Sequence, residues 1–459
     1  MPEAAAEAEP GGIEIVAVID DGLGHSSYVV GLGDGSAVVI DPARFPERQR
    51  RIAAEHRWEI TWTADTHSHA DYISGSRELA VSGARFLASA GADLEVEHQP
   101  VAAGETISLT DGVALRAIPT PGHTPDHLAY LLLVNGAPQA LFSGGSLMVG
   151  AVGRTDLLGD EHREELAGDL FHALHEEILT LPDDLAVYPT HGAGSFCSAP
   201  QGAARTTTIG TERATNPLLR IDDRDDFVAA LLEGLGTFPN YFRLLPERNR
   251  RGPRVYPAIP QLARLDLATT RRHLDAGATL VDARTISAFA DGHIPGSLSI
   301  EHRPQFASWL GWLVPLDQPV VFVLDDDTDR ADLVRQSLTI GHENLLGEID
   351  GGISAWREAG LPIDTIALVG PGDIADTVLD IRQDAEWKAG HLPEARHVEL
   401  GALHGAEIPH EPVTVMCGHG ERAMTGASIL TARGHDAVSV LAGGPGDWAA
   451  ATGEELRTA

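Results

Sequence analysis

LVDARTISAFADGHIPGS (280–297) and VLDIRQDAEWKAGHLPEA (378–395) are two versions of one pattern. In each, an apolar run ends in Asp-x-Arg, and His-[Ile/Leu]-Pro begins eleven residues after the Asp. The agreement continues downstream. DRADL at Asp329 parallels ERAMT at Glu421, a Gly-Gly pair precedes Trp356 and Trp448, and the interval from Arg330 to Trp356 equals that from Arg422 to Trp448. So many ordered matches define a duplicated domain. The continuous apolar runs VVFVLD (320–325) and VTVMC (413–417) predict strands of a parallel sheet with helices on both faces. The copies occupy 261–364 and 365–459, each of ordinary domain size.

The copies diverge where the chemistry would sit. Cys417 follows its strand directly, in the loop CGHGER, with a helix expected from Ala423. Strand, glycine-rich turn and helix start together aim backbone N–H groups, here those of Gly418 and Gly420, at one atom. A thiolate there is stabilised and can hold a transferred sulfur as a persulfide. Arg422 adds positive charge, and His419 can donate to a bound group. The repeat resembles the rhodanese family, and the six-residue span from Cys417 to Arg422 suits sulfur transfer in that superfamily. Aligning Arg330 with Arg422 places Asp325 where Cys417 stands, in DDDTDR. A carboxylate cannot accept sulfane sulfur, so the first copy reads as inactive and structural.

Residues 1–260 carry a different pattern. SSYVVGLGDGSAVVIDP predicts a hairpin around Gly-Asp-Gly. THSHADY follows the strand-like WEITWTAD, so His67, His69 and Asp71 can surround one metal. TPGHT at His123, SGGSLMVGAVGRTD at Ser143 and YPTHGAGSFC at His191 follow in order. Residues 206–256 read as an extension of this domain, with a helix over 225–235.

This ordered set resembles the metallo-β-lactamase fold, in the branch that holds persulfide dioxygenases fused to one inactive and one active rhodanese domain. The resemblance implies an αββα sandwich followed by two rhodanese-like α/β domains with parallel sheets. It also implies a mononuclear Fe(II) held by His67, His123 and a carboxylate, but Gly145 stands at the carboxylate position and Tyr72 replaces the last histidine of the family motif. Three outcomes stay open: iron on His67 and His123 with the gap filled otherwise, a zinc site of His67, His69 and His123, or no metal at all. On this reading Gly145→Asp raises iron affinity. Arg154 and Asp156 order the loop beneath the site, and in the family this Arg region approaches the thiol substrate. Cys197 is either a thiol that meets persulfide or a buried loop cysteine.

Composition narrows the function classes. With 33 basic against 67 acidic residues, the formal charge of −34 disfavours nucleic acid and anionic membrane surfaces. Two cysteines cannot make a disulfide framework. No apolar run is long enough to span a bilayer, and MPEAAAEAEPGG lacks the basic start and apolar core of a secretion signal, so a cytoplasmic location is expected. The expected function is oxidation or transfer of the sulfane sulfur of glutathione- or coenzyme-A-type persulfides, giving sulfite or thiosulfate. The alternatives are a sulfurtransferase whose first domain has lost its oxygenase activity, a mononuclear zinc thioester hydrolase of the glyoxalase-II type, and a persulfide carrier or sensor. The resemblance also implies a homo-oligomer.

Overall fold

The computed structural model describes residues 12–197 and 204–458. It divides into two compact units, one reaching to Ile259 and taking in Leu338–Gly341, the other holding the remaining residues from Pro260.

The first unit is an αββα sandwich. One sheet places Glu14–Asp20, His25–Gly31, Ser36–Ile40, Glu59–Ala64, Arg85–Ser89 and Gln99–Val101 side by side in chain order. The second runs Thr207–Thr208, Ala186–Pro189, Ala137–Gly144, Leu128–Val134, Val113–Pro119, Thr106–Thr110. Period-two alternation explains the layers. Val30, Val38 and Ile40 point inward with Tyr130, Leu132 and Phe142 of the opposite sheet. Their neighbours Val29 and Val39 point outward onto Ala53 and Leu79 of the helices Glu47–Glu55 and Ser76–Val81. The expected hairpin is present, with Tyr28 opposite Ile40 in antiparallel register. The extension contributes a helix at Arg224–Glu233, whose Phe227 and Leu231 pack under the second sheet.

The second unit holds two five-stranded parallel sheets of the same topology. The first runs Arg264–Leu265, Leu345–Ile349, Val320–Val323, Thr279–Asp282, Leu298–Ser299. The second runs Ala367–Val369, Val438–Leu441, Val413–Met416, Thr377–Asp380, Arg396–His397. The duplicated motif has a physical reason in each. Asp282 takes hydrogen bonds from the Arg284 side chain at 2.6 and 2.9 Å, and Arg284 reaches on to Gly292 O at 2.9 Å. Asp380, Arg382 and Gly390 O repeat this at 2.6–3.0 Å. The motif histidines stack on an aromatic ring, His293 on Phe289 at 3.9 Å and His391 on Trp387 at 3.7 Å. Buried ion pairs thus tie the strand end to the following helix end in both copies. Among the described residues, no helix is long and apolar enough to cross a membrane.

Candidate metal centre and sulfur loop

Strand ends build the first site. His67, His69 and Asp71 follow Glu59–Ala64, His123 lies between Val113–Pro119 and Leu128–Val134, and His191 follows Ala186–Pro189. Ring nitrogens of His67, His123 and His191 lie within 4.8 Å of one another, all in buried residues. His67 Nε2 and His191 Nε2 are 3.4 Å apart.

The far nitrogen of each ring faces a partner. Thr66 Oγ1 donates to Asp41 Oδ2 at 2.7 Å, so it accepts from His67 Nδ1 at 2.8 Å. His123 Nδ1 donates to Arg154 O at 2.8 Å, since a carbonyl only accepts. His191 Nδ1 faces Asp71 Oδ2 at 3.4 Å. Such outer partners fix the tautomer of a ligating imidazole. His67 and His123 therefore present bare Nε2 lone pairs, and His123 Nε2 has no hydrogen-bond partner among the described residues. Burial holds His67 well below the usual imidazole range and brings His123 down to about 3, which keeps both neutral. Burial also acts on His191, but Cys197 and Asp71 outweigh it and hold that ring well above the ordinary value. The donors fit a divalent cation: the neutral nitrogens of His67 and His123 converge with a nitrogen of His191, and buried carboxylates lie one layer out.

His69 turns elsewhere. Its Nε2 lies 3.2 Å from Asp41 Oδ1 and 3.2 Å from the Tyr72 hydroxyl. Asp41, Asp65 and His69 form a separate buried group, and Asp71, His191 and Cys197 a third. Burial alone would raise the Asp41 carboxyl, but His69, Thr190 and the Thr66 N–H bring it down to about 2. Cys197 is fully buried beside His191. Arg154 commits its guanidinium to Asp156, Phe196 O and Gly236 O, and stacks over Phe238 at 4.2 Å.

The sulfur loop is built as strand Val413–Met416, turn, and helix Glu421–Ala432. Gly420, at φ +113°, donates its N–H to Cys417 Sγ at 3.1 Å. Gly444 backs the turn so closely that a Cβ there would stand 2.2 Å from Gly418 O, which explains half of the Gly-Gly motif. Cys417 is 1% exposed, and His419 is exposed. Arg422 is paired bidentately with Glu386 at 2.7 and 2.8 Å. The first repeat walls this loop: its Trp309 ring lies 5.9 Å from the Arg422 guanidinium, and its Arg303 lies 3.8 Å from Glu421. In that repeat Asp325 occupies the equivalent turn, and Arg330 pairs with Glu348 at 2.8 Å.

The signature of the rhodanese-like domain matches residues 266–359 and 365–451, and that of the metallo-beta-lactamase superfamily matches 20–84. The human protein named persulfide dioxygenase ETHE1, mitochondrial is 32% identical over 192 residues, covering 40% of this chain and 67% of that protein. The hydroxyacylglutathione hydrolase of Rhodobacter capsulatus is 32% identical over 214 residues, covering 40% of this chain and 77% of that protein. The chain belongs to the metallo-beta-lactamase superfamily. It carries tandem rhodanese-like domains behind that domain. A metallo-beta-lactamase from Staphylococcus aureus subsp. aureus COL matches with a TM-score of 0.65 at 27% identity, over 74% of this chain and 99% of that one.

Two features of the metallo-beta-lactamase domain escaped the sequence reading. His127 Nε2 accepts the Gly145 N–H at 2.9 Å, while its Nδ1 meets Thr120 Oγ1 at 2.7 Å. A histidine three residues after the PGHT motif was the available signal. At Gly145, an added Cβ would stand 2.3 Å from the His123 ring. An aspartate at 145 would therefore have to displace the ring of His123.

Proposed function

We propose that this protein transfers sulfane sulfur, with Cys417 as carrier, between a low-molecular-weight thiol persulfide and sulfite. The observation that carries the reading is Cys417 Sγ accepting the Gly420 N–H, at a helix start beside Arg422. The thiolate attacks the outer sulfur of RSSH, forms Cys417–S–S⁻ and releases the thiol RSH. Sulfite then attacks that outer sulfur, thiosulfate leaves, and the thiolate returns. No net electrons are gained or lost. The Gly420 N–H and the helix start stabilise the anion in both states.

The metallo-beta-lactamase domain receives the same class of persulfide. A metal held at His67 and His123 would supply Lewis acidity and, as iron, the O₂ chemistry that turns RSSH into sulfite. The resemblance to a persulfide dioxygenase supports this, and the sulfite so made would be the acceptor used at Cys417. Gly145 favours a second reading, in which this domain lacks oxygenase activity and Cys417 is the sole catalytic centre.

Oxygen uptake on glutathione persulfide, measured with thiosulfate:cyanide sulfurtransferase activity, tests both. Uptake with sulfurtransferase activity supports the coupled enzyme. Sulfurtransferase activity without uptake, in metal-loaded protein, supports the second reading. Full sulfurtransferase activity in Cys417→Ser defeats the proposal.

A further inference from the structure

The ligand set of the metal centre is where this chain departs from the two-histidine-one-carboxylate pattern its resemblance implies. We propose that the centre is a carboxylate-free cradle in which His191 is the third ligand, so that Nε2 of His67, His123 and His191 hold one divalent first-row transition ion. This rests on the reading of the first domain as a metal domain and names the residues that make it one.

Three observations carry it. The first is spacing. Two imidazole nitrogens bound at about 2.1 Å on a tetrahedral zinc stand about 3.4 Å apart. His67 Nε2 and His191 Nε2 are separated by 3.4 Å, and a ring nitrogen of His123 lies within 4.8 Å of both. The second is the anchoring described above: Nδ1 of His67 and of His123 is held by Thr66 Oγ1 and Arg154 O, and His191 Nδ1 lies 3.4 Å from Asp71 Oδ2. His123 Nε2 has no hydrogen-bond partner among the described residues, which leaves a buried lone pair open to a cation. The third is steric. A side chain at 145 would begin 2.3 Å from the His123 ring, and one at 153 would begin 2.9 Å from His123 Cβ. His123 is thus wedged between two glycines, and the His127 contact pins the Gly145 N–H beside it. A carboxylate at 145 and the present His123 ring exclude each other. His69, the other candidate third histidine, faces Asp41 instead.

The chemistry of such a centre differs from that of a carboxylate-bearing one. Once the ion has displaced the proton of His191, three neutral imidazoles leave its full charge on the site, balanced by the outer carboxylates Asp71 and Asp41. This donor set suits zinc as well as iron(II).

The test uses the full-length protein loaded with zinc(II) alone, and cobalt(II) as a spectroscopic probe. X-ray absorption on the zinc form of the unmutated protein counts the imidazoles, so no variant needs to fold. Three imidazoles and no sulfur are expected. Two imidazoles, or a sulfur ligand from Cys197, overturn the proposal. In chelator competition, His191→Gln and Gly145→Asp are each expected to bind zinc at least tenfold more weakly, while His69→Gln changes affinity less. Tighter binding in Gly145→Asp, or unchanged binding in His191→Gln, overturns it. If the unmutated protein takes up neither zinc, iron(II) nor cobalt(II), the cluster holds a shared proton between His67 and His191 and the proposal fails. That outcome leaves sulfur transfer at Cys417 untouched, so the two failures are distinguishable.

Discussion

Asp380→Ala and Asp282→Ala apply one perturbation to both halves of the repeat. Asp380 accepts four hydrogen bonds from Arg382, one from its backbone N–H and three from its guanidinium. Removing the carboxylate leaves a guanidinium that is only 7% exposed with Gly390 O as its remaining partner. Breaking a buried pair by deleting one partner costs about 3–5 kcal/mol. For a unit of this size that lowers the melting temperature by about 6–20 °C. Asp282 and Arg284 stand in the same geometry, with Arg284 at 4% exposure, so Asp282→Ala should destabilise equally. The functional outcomes should differ. Asp380 pairs in register with Met416, directly before Cys417, whereas Asp282 pairs with Val323 in the copy without a thiol. Calorimetry of the full chain reads the first effect, and thiosulfate:cyanide sulfurtransferase kinetics well below the melting temperature read the second. The expected result is two similar melting shifts, with a fall in kcat only for Asp380→Ala. A shift under about 1 kcal/mol in either variant would refute the account of why the motif is duplicated.

Gly444→Ala sets a methyl carbon 2.2 Å from Gly418 O, so the turn carrying Cys417 must move. Overpacking of this kind costs about 1–3 kcal/mol, and sulfurtransferase activity should drop at least tenfold, against little change for Gly446→Ala, whose surroundings are open. Glu386→Gln removes the charge that neutralises Arg422. Alkylation of Cys417 by iodoacetamide at fixed pH should then accelerate several-fold, and an unchanged rate would show that Arg422 does not act on the thiol. Glu78 is buried, which pushes its carboxyl up to about 7 despite the Phe45 N–H and Arg44. Because the folded value lies above the unfolded one, its stabilising effect is complete below about pH 4.5 and is lost as pH rises through 7, by about 1–3 kcal/mol. Glu78→Gln should flatten the melting temperature across that window.

The repeat was legible because its matched residues do the same work in both copies. Asp-x-Arg, the stacked histidine and the Gly-Gly turn are local devices whose partners lie within a few residues or on the adjacent strand. The period-two strands and the two-layer core were legible for the same reason. The histidine cluster was legible as a set but not as a geometry. Which histidine supplies the third nitrogen depends on side chains brought together from four separate strand ends. Asp41, which turns His69 away, lies 28 residues before it, and nothing in THSHADY reports that contact. Gly145 shows the same limit: spacing shows that a carboxylate is missing, but only packing shows how close the His123 ring stands. Glu386, which neutralises Arg422, was likewise invisible until the helix Asp384–Ala389 came to lie against the loop.

The proposed function rests on Cys417 as the carrier of sulfur. Intact-mass and peptide mass spectrometry after brief exposure to glutathione persulfide test it most directly. One added sulfur atom is expected on the peptide containing Cys417, removed by sulfite with release of thiosulfate and absent in Cys417→Ser. A sulfur found instead on Cys197, with turnover preserved in Cys417→Ser, would contradict it.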